Sequence, residues 1–364
     1  MYKILFDLTQ EYYWPSLKPI YDEYSDDNRY QLFIKIGKNQ KRFLYIFLIS
    51  QKKKIEREFI KSGYRITDKM SDFDVVFCGA PLHNPTEYGK ALLCNVDHGP
   101  GIKTLRYRHF LKQPDIHYYC FIEGKYRIDK FKHYGLDQIE TLYDVGLPKL
   151  DILFNGTYNK TELIQSYNLD PDKKIILYAP SYKPTSIFSM GKKVVELSLK
   201  YNLIIKLHPY SWSGKYASHT QHKLFEKLAK EYPNFLLVSK NDHNILPYLY
   251  IADTMISDGS SVINEFLSLE RCGIIIDLSD QNLKHHDGES LLADRSSEWL
   301  KDSFIHITEE SDLEMAVEEA LNPSQERLEK IKKDKNYIFT YTDSISAKRV
   351  KDTVDTLLLK GTHL

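Results

Sequence analysis

The chain has 364 residues, of which 42% are hydrophobic and 27% are charged, and its formal net charge at pH 7 is zero. This length allows two domains of ordinary size, the composition is typical of a globular protein, and the charge gives no indication of a nucleic-acid partner. The cysteines are far apart, which disfavours a disulfide framework and a zinc site and favours a reducing cytoplasm: Cys78, Cys94, Cys120 and Cys272.

The first part of the chain alternates strand-like and helix-like segments. The N-terminus is typical of a strand and lacks the long apolar core of a signal peptide. The longest apolar run, Phe43–Ile49, is far too short to span a bilayer. This rhythm predicts a parallel sheet with helices between its strands. The predicted strands are Lys3–Phe6, Phe43–Leu48, Val75–Cys78 and Ala91–Val96, and the predicted helices are Ser16–Tyr24 and Lys52–Lys61.

A second series of the same kind begins after residues 147–172. Its predicted strands are Lys174–Tyr178, Leu203–Leu207, Phe235–Val238, Thr254–Ser257 and Gly273–Asp277, and its predicted helices are Lys192–Lys200, His222–Tyr232, Ile245–Ile251 and an amphipathic Ala347–Leu359. Two such series predict an α/β fold of two doubly wound, Rossmann-like domains that face a cleft, where ligands bind. We place the domains at 1–150 and 151–335, with a C-terminal helix in 336–364 that could cross back to the first domain.

Positive charge is concentrated in one region. Between Gln31 and Lys69 there are eleven Lys and Arg residues and three acidic residues, a net charge of about +8. Near an anionic lipid surface each basic residue contributes about 1 kcal/mol. The pattern predicts docking on an anionic membrane surface, and a solvated basic surface with partners elsewhere is the alternative.

The segment from residue 256 to residue 267 indicates a strand end, a tight glycine turn and a helix start. Ser260 and Ser261 fall where the first helical turn leaves N–H groups unpaired, and these groups, together with the helix dipole, favour a phosphate. Glu265 follows Ser261 by one helical turn and could reach a ribose diol. An ordinary serine cap with a solvent-facing glutamate is the alternative.

A second candidate site follows the predicted strand that ends at Val96. His98 lies beside Gly99, which lets a ligand approach the backbone, and Lys103 adds a positive charge nearby. A neutral imidazole at this position can take a proton from an attacking hydroxyl. A turn histidine without a catalytic role is the alternative.

Two further strand ends carry polar side chains. His208 precedes a proline that turns the chain, and either this histidine or Lys206 could hold a phosphate oxygen. Ser181 and Lys183 share one loop, where a hydroxyl and an ammonium suit a pyrophosphate. A capped strand end and a surface loop are the alternatives. No Walker loop or spaced set of metal ligands stands out, so we expect neither a metal nor a cofactor.

Four segments in this order resemble the motifs of the CDP-glycerol glycerophosphotransferases, the enzymes that prime and polymerise teichoic acids and related capsules. The segments are His98–Lys103, Gly146–Asp151, Tyr178–Lys183 with Leu207–Pro209, and Asp258–Glu265. Each motif is short, but their order and spacing together are specific. The resemblance runs from about residue 75 to the C-terminus and includes the late segment Ser344–Val350.

The resemblance implies a metal-independent GT-B enzyme that lies on the cytoplasmic face of the cell membrane. An acceptor hydroxyl of a cell-surface polymer or a lipid-linked acceptor would attack the distal phosphorus of a CDP-alditol, and CMP would leave. The implied catalytic residues are His98, as the general base, and His208. The implied donor-binding residues are Ser181, Lys183, Asp258, Ser260, Ser261 and Glu265, and Gly99 and Lys103 would contact the phosphate or the acceptor.

Several residues depart from the family pattern and leave the donor open. Gly259 replaces a tyrosine, Pro100 and Gly101 change the first motif, and Lys183 replaces an arginine, which removes a bidentate phosphate contact. Ribitol phosphate transfer and sugar transfer by a GT-B glycosyltransferase of capsule or lipopolysaccharide synthesis are therefore alternatives to glycerol phosphate transfer. A nucleotide-sugar 2-epimerase and an inactive membrane-associated partner of a polymer-making complex are more distant alternatives.

Overall fold

A computed structural model describes residues 1–43, 47–97, 99–213, 220–278, 284, 287–294 and 296–361. The first half contains β1 (Tyr2–Leu8), α1 (Trp14–Ser25), β2 (Tyr30–Ile36), β3 (Gln40–Phe43), β4 (Phe47–Ser50), α2 (Lys52–Lys61), β5 (Val75–Cys78), β6 (Leu92–Val96), α3 (Leu105–Leu111), β7 (Tyr119–Ile122), α4 (Lys125–His133) and β8 (Thr141–Asp144). Six of these strands form a parallel sheet in the order β2-β1-β5-β6-β7-β8.

The second half contains α5 (Asp151–Phe154), α6 (Lys160–Ser166), β9 (Ile175–Tyr178), α7 (Ile187–Glu196), β10 (Asn202–Ile205), α8 (Pro209–Ser213), α9 (Gln221–Glu231), β11 (Phe235–Leu237), α10 (Leu246–Ile251), β12 (Thr254–Ser257), α11 (Val262–Leu267), β13 (Ile274–Ile276), β14 (Ile305–Ile307), α12 (Leu313–Leu321), α13 (Gln325–Ile338) and α14 (Ser346–Leu359). Its parallel sheet has the order β11-β10-β9-β12-β13-β14. Each sheet has a strand order that reverses direction, as in doubly wound folds.

The first sheet is buried on both faces. Successive side chains of a strand point to opposite faces, so Ile4 and Phe6 of β1 belong to one apolar cluster and Leu5 belongs to the other. Val75 and Val76 of β5 divide between the clusters in the same way. Burial on both faces explains the nearly continuous apolar runs of these strands, which is the usual composition of parallel sheets.

The C-terminal helix α14 packs on the first domain rather than on the second. Val350 and Val354 are fully buried in the same apolar cluster as Ile4 and Phe6. The start of the helix is held by Asp151, whose carboxylate accepts hydrogen bonds from the backbone N–H groups of the first two helical residues at 3.1 and 2.8 Å. The chain therefore crosses from the second domain back to the first.

The strand prediction at Phe43–Leu48 is wrong. The apolar run belongs to an antiparallel pair, β3 and β4, in which Arg42 lies opposite Leu48 and Phe43 opposite Phe47. Residues 44–46 lie outside the described part of the chain. The strand that joins the main sheet is β2, an edge strand in which buried residues alternate with partly buried ones. In the described residues, no helix is both long and apolar enough to cross a bilayer.

Candidate active site

A cleft with a volume of about 300 Å³ lies between the two domains. This size suits a small-molecule ligand. Many of the residues that line the cleft follow the carboxyl ends of strands in both sheets, as expected for doubly wound domains. Of the residues predicted from the sequence, the cleft brings together Gly99, Lys103, Ser181, His208, Ser260, Ser261 and Glu265. His98 lies outside the described residues.

Asp258 lies beneath the cleft and supports one of its loops. The side chain is fully buried, and its carboxylate accepts hydrogen bonds from the N–H of Ser181 at 2.6 Å and from the N–H and hydroxyl of Ser186, both at 2.8 Å. Burial raises the pKa of Asp258 to about 6, against the lowering effect of these hydrogen bonds and of Lys103. Asp258 thus fixes the loop after β9. Lys183 of that loop is exposed and does not line the cleft.

Ser260 and Ser261 face the cleft at the start of α11. The helix spans only Val262–Leu267, and Ser260 caps it weakly, since its hydroxyl lies 3.5 Å from the N–H of Val262. The short helix contributes little dipole, so the hydroxyls themselves are the main groups available to an anion. Gly99 packs on this helix start: a Cβ at Gly99 would lie 3.0 Å from the hydroxyl of Ser261.

Glu265 is engaged by a lysine that we did not predict as a site residue. Glu265 is only 2% exposed, and the ammonium of Lys149 donates to its two carboxylate oxygens at 2.7 and 2.8 Å. Lys149 belongs to the motif Gly146–Asp151, so the sequence signal was present although its role was not assigned. In this arrangement, Glu265 lines the cleft as the ion-pair partner of Lys149.

Lys206 is a buried cation that the second domain contributes to the cleft. It lines the cleft, and its ammonium donates to the backbone carbonyl of Asp242 at 2.6 Å. Burial lowers the pKa of Lys206 to about 8, and the nearby Lys149 lowers it further while Asp242 raises it. An anionic ligand in the cleft would stabilise the charged form of this lysine.

Lys103 and His208 approach the loop after β9 from opposite domains. The ammonium of Lys103 lies 3.4 Å from the hydroxyl of Ser181, and burial lowers its pKa. His208 packs against Tyr182, with 4.5 Å between ring centroids, and its Nδ1 accepts a hydrogen bond from the N–H of Tyr210 at 3.1 Å. A neutral His208 therefore carries its proton on Nε2, where it can donate to a ligand oxygen.

The first domain contributes a network of ion pairs that the sequence did not reveal. Arg106 pairs with Asp97 and donates to Asn95 at 2.8 Å. Arg127, 1% exposed, pairs with Glu123 at 2.7 Å. The two arginines come from α3 and α4 and reach the cleft across the sheet end, so no local motif marks them.

Metal ligands are not grouped in the described part of the chain. There, no set of three or more His, Cys, Asp or Glu side chains is placed to hold a metal ion. Metal independence, implied by the resemblance, stays a prediction.

The two parallel β-sheets with their helices, and the cleft between them, define a two-domain α/β protein of the GT-B class, as predicted. Residues 101–356 match the profile of a family described as CDP-glycerol:poly(glycerophosphate) glycerophosphotransferase. The match covers well over half of the chain, and the chain belongs to this family, which confirms the resemblance found in the sequence.

Individual relatives agree with this assignment. The teichoic acid poly(glycerol phosphate) polymerase of Bacillus spizizenii is 29% identical over 196 residues, which cover 48% of this chain and 44% of the relative. The teichoic acid ribitol-phosphate primase of the same organism is 23% identical over 255 residues, 67% of this chain and 60% of the relative. The chain thus matches about half the length of these relatives.

A solved structure supports the fold over nearly the whole chain. The structure of the wall teichoic acid polymerase TagF matches with a TM-score of 0.67 and 17% sequence identity, over 99% of this chain and 89% of that chain. At this identity, the likeness concerns the fold alone.

Proposed function

We propose that this protein transfers an alditol phosphate, most readily glycerol phosphate, from a CDP-activated donor to a hydroxyl of a cell-surface polymer or lipid-linked acceptor. The observation that carries the proposal is the convergence of the four motifs on one cleft. Lys103, Lys149 and Ser261 represent three of them, and Ser181 and His208 represent the other. Family membership supplies the reaction class.

In the proposed reaction, the acceptor hydroxyl attacks the distal phosphorus of the CDP-alditol. The new O–P bond forms as the bond between that phosphorus and the bridging oxygen breaks, and CMP leaves with the bridging oxygen. The acceptor proton passes to a base, a role that the resemblance gives to His98. Phosphoryl transfer depends mainly on positioning and charge stabilisation. Lys103, Lys206 and the Nε2–H of His208 are the groups we assign to the phosphate oxygens.

Lysines can supply the positive charge that Mg²⁺ supplies in many phosphoryl transfers. Three of them line the cleft: Lys103, Lys149 and Lys206. On this basis we propose a metal-independent reaction. Activity is then expected to persist in excess EDTA, and a loss that added Mg²⁺ restores would contradict the proposal.

The departure at Gly259 bears on which alditol the protein transfers. A Cβ at Gly259 would have no heavy atom within 4 Å, so the position where the family pattern has tyrosine is open here. This departure from the family pattern leaves the alditol open, and one relative is a ribitol-phosphate primase. CDP-ribitol is therefore the main competing donor.

The experiment is nucleotide release by purified protein with a glycerol-phosphate-primed or lipid-linked acceptor. The donors are CDP-glycerol, CDP-ribitol, a CMP-sugar and a UDP-sugar. We expect CMP from a CDP-alditol, and a loss of about 10²–10⁴-fold in His98→Ala, the usual contribution of a general base. UDP release, or CMP from the CMP-sugar alone, would instead favour the GT-B glycosyltransferase alternative.

We also propose that the protein docks on the anionic inner face of the cell membrane through residues 31–69. On α2, Ile55 and Phe59 pack inward, while basic residues and Ile60, 58% exposed, point outward. Phe47 of the neighbouring hairpin is 60% exposed. Exposed apolar side chains in a basic region suit an anionic bilayer. Some of the charge is used internally, since Lys52 pairs with Asp68.

Sedimentation with anionic vesicles tests this docking. Binding is expected at low salt and is expected to weaken at high salt. Lys53→Glu with Arg57→Glu, both exposed on α2, is expected to abolish binding. The matched control is Lys227→Glu with Lys230→Glu, both exposed on α9 of the second domain. Equal binding by the two double variants would contradict the proposed surface.

A further inference from the structure

Most of the first motif belongs to a segment that is hydrogen-bonded to the second domain. We call residues 99–104 the strap. The carbonyl of Ile102 accepts a hydrogen bond from the N–H of Ala293 at 2.7 Å, and the N–H of Thr104 donates to the carbonyl of Leu291 at 2.9 Å. The strap therefore crosses the cleft edge and pairs with backbone of the opposite domain.

One buried side chain holds the strap at its cleft end. Asn264 is 1% exposed and lies on α11, and its amide Nδ2 donates to the carbonyl of Pro100 at 2.5 Å. The orientation of the amide is fixed from the other side, because the indole N–H of Trp299 donates to its Oδ1 at 3.1 Å. An indole N–H can only donate, so it requires the amide oxygen, and the amide nitrogen must face Pro100.

The first domain holds the strap at Gly101, the residue after Pro100. The guanidinium of Arg127 donates to the carbonyl of Gly101 at 3.1 Å. Pro100 and Gly101 are the two strap residues that depart from the family pattern, and each offers its carbonyl to a buried side chain of a different domain. The strap is thus fixed between the domains by two side-chain hydrogen bonds.

The same short helix that holds the strap also carries groups of the cleft. Ser261 and Glu265 flank Asn264 on α11, and Gly99 packs against both: a Cβ at Gly99 would lie 3.0 Å from the hydroxyl of Ser261 and 3.2 Å from Oε1 of Glu265. A shift of the strap relative to α11 would therefore change the distance between Gly99, which follows β6, and the side chains of Ser261 and Glu265, which follow β12.

We propose that Asn264 is a positioning residue that sets the strap against α11 and thereby sets the rate of phosphoryl transfer, with little effect on donor binding. The inference rests on the proposed function, in which His98, next to Gly99 in the sequence, is the base. Misplacement of a reacting group by about 1 Å can cost about 10²-fold in rate, because near-attack geometry is lost. The donor contacts assigned to Lys206 and His208 lie outside the strap. Lys103 lies on the strap, but the backbone of its neighbours Ile102 and Thr104 is hydrogen-bonded to the second domain independently of Asn264.

The first test is Asn264→Leu, which keeps the approximate size and removes the donor to Pro100. We expect kcat to fall about 10- to 100-fold, with the donor KM within threefold of the native value. Hydrogen exchange, followed by mass spectrometry on peptides from residues 99–111, is expected to become faster in the strap. An unchanged kcat would overturn the inference, as would a donor KM that rises in proportion to the loss of kcat/KM.

A second variant keeps the test decisive if Asn264→Leu does not fold. Trp299→Phe leaves the amide in place but removes the N–H that orients it, so a smaller loss of kcat with the same unchanged donor KM is expected. A native rate in this variant, with native exchange in the strap, would overturn the inference. Hydrogen exchange also separates the two proposals. If the native protein transfers from no CDP-alditol, the proposed function fails, and exchange still decides whether Asn264 holds the strap.

Discussion

The two walls of the cleft use charge in different ways. In the wall from the first domain, the two arginines are paired with carboxylates of the same domain: Arg106 with Asp97, and Arg127 with Glu123. In the wall from the second domain, the ammonium of Lys206 donates to a backbone carbonyl. The arginines of the first wall are therefore arranged before any ligand arrives, whereas Lys206 keeps a positive charge that an anionic donor can use.

The largest expected effect comes from breaking the first wall. Arg127→Met leaves Glu123, 1% exposed, as a buried charge without its ion-pair partner. Removal of one partner of a buried pair costs about 3–5 kcal/mol, so we expect the free energy of unfolding to fall by that amount. Urea denaturation followed by circular dichroism measures the change.

The matched control for this prediction removes both charges. Arg127→Met with Glu123→Gln also removes the carboxylate that has lost its partner, while Asp97 keeps Arg106. Replacement of a whole buried pair is often close to neutral. We expect the double variant to recover much of the lost stability. If the double variant is as unstable as the single one, the loss comes from the packing of the guanidinium and its hydrogen bonds to Tyr107 and Gly101.

A substitution in the second wall is expected to weaken donor binding rather than to lower the free energy of unfolding. In Lys206→Met the charge is lost while the apolar stem is kept. A hydrogen bond to a charged group contributes about 1.5–3 kcal/mol, so the donor Kd is expected to rise about 10- to 100-fold. Titration calorimetry with CDP-glycerol measures this change, and thermal unfolding serves as the control. A native Kd would place the phosphates elsewhere in the cleft.

The same lysine predicts a pH dependence of donor binding. Burial lowers the pKa of Lys206 from 10.5 to about 8, so the ammonium is charged below pH 8 and loses its proton above it. The groups that bear on it are Asp242, which raises the pKa, and Lys149, which lowers it. The donor KM is expected to rise above pH 8, toward tenfold per pH unit, because the phosphates then face a neutral amine. Lys206→Met is expected to give a flat profile between pH 7.5 and 9.5, and a parallel rise in this variant would assign the titration to another group.

The part of the site that follows strand ends was predictable from the sequence. Ser181, His208 and Ser261 each come within a few residues of a strand's carboxyl end, and in parallel sheets these ends meet at one edge. Two series of apolar runs separated by helical segments were likewise sufficient to predict two such sheets. The continuous apolar runs contain this information, because these strands are buried on both faces.

Groups that reach the cleft from helices were not predictable. Arg106 and Arg127 lie on α3 and α4, and nothing in their local sequence shows that they meet Asp97. Their contacts depend on how the helices pack on the sheet. The run Phe43–Leu48 was misjudged for a related reason: apolar composition alone does not distinguish a buried strand from an exposed hairpin strand.

The smallest expected effect concerns Lys183, which the sequence placed in the donor site. The loop after β9 directs Ser181 into the cleft and leaves Lys183 exposed, so an ammonium at this position is screened by water and is not among the groups that line the cleft. Lys183→Ala is expected to keep kcat/KM within about twofold of the native value, as surface substitutions usually do. Ser181→Ala, in the same loop, is the matched variant and is expected to lower kcat/KM about tenfold, the effect of one lost hydrogen bond. A loss of more than tenfold in Lys183→Ala would mean that donor binding draws this loop into the cleft, and that the positive charge of the second wall is completed only when the donor binds.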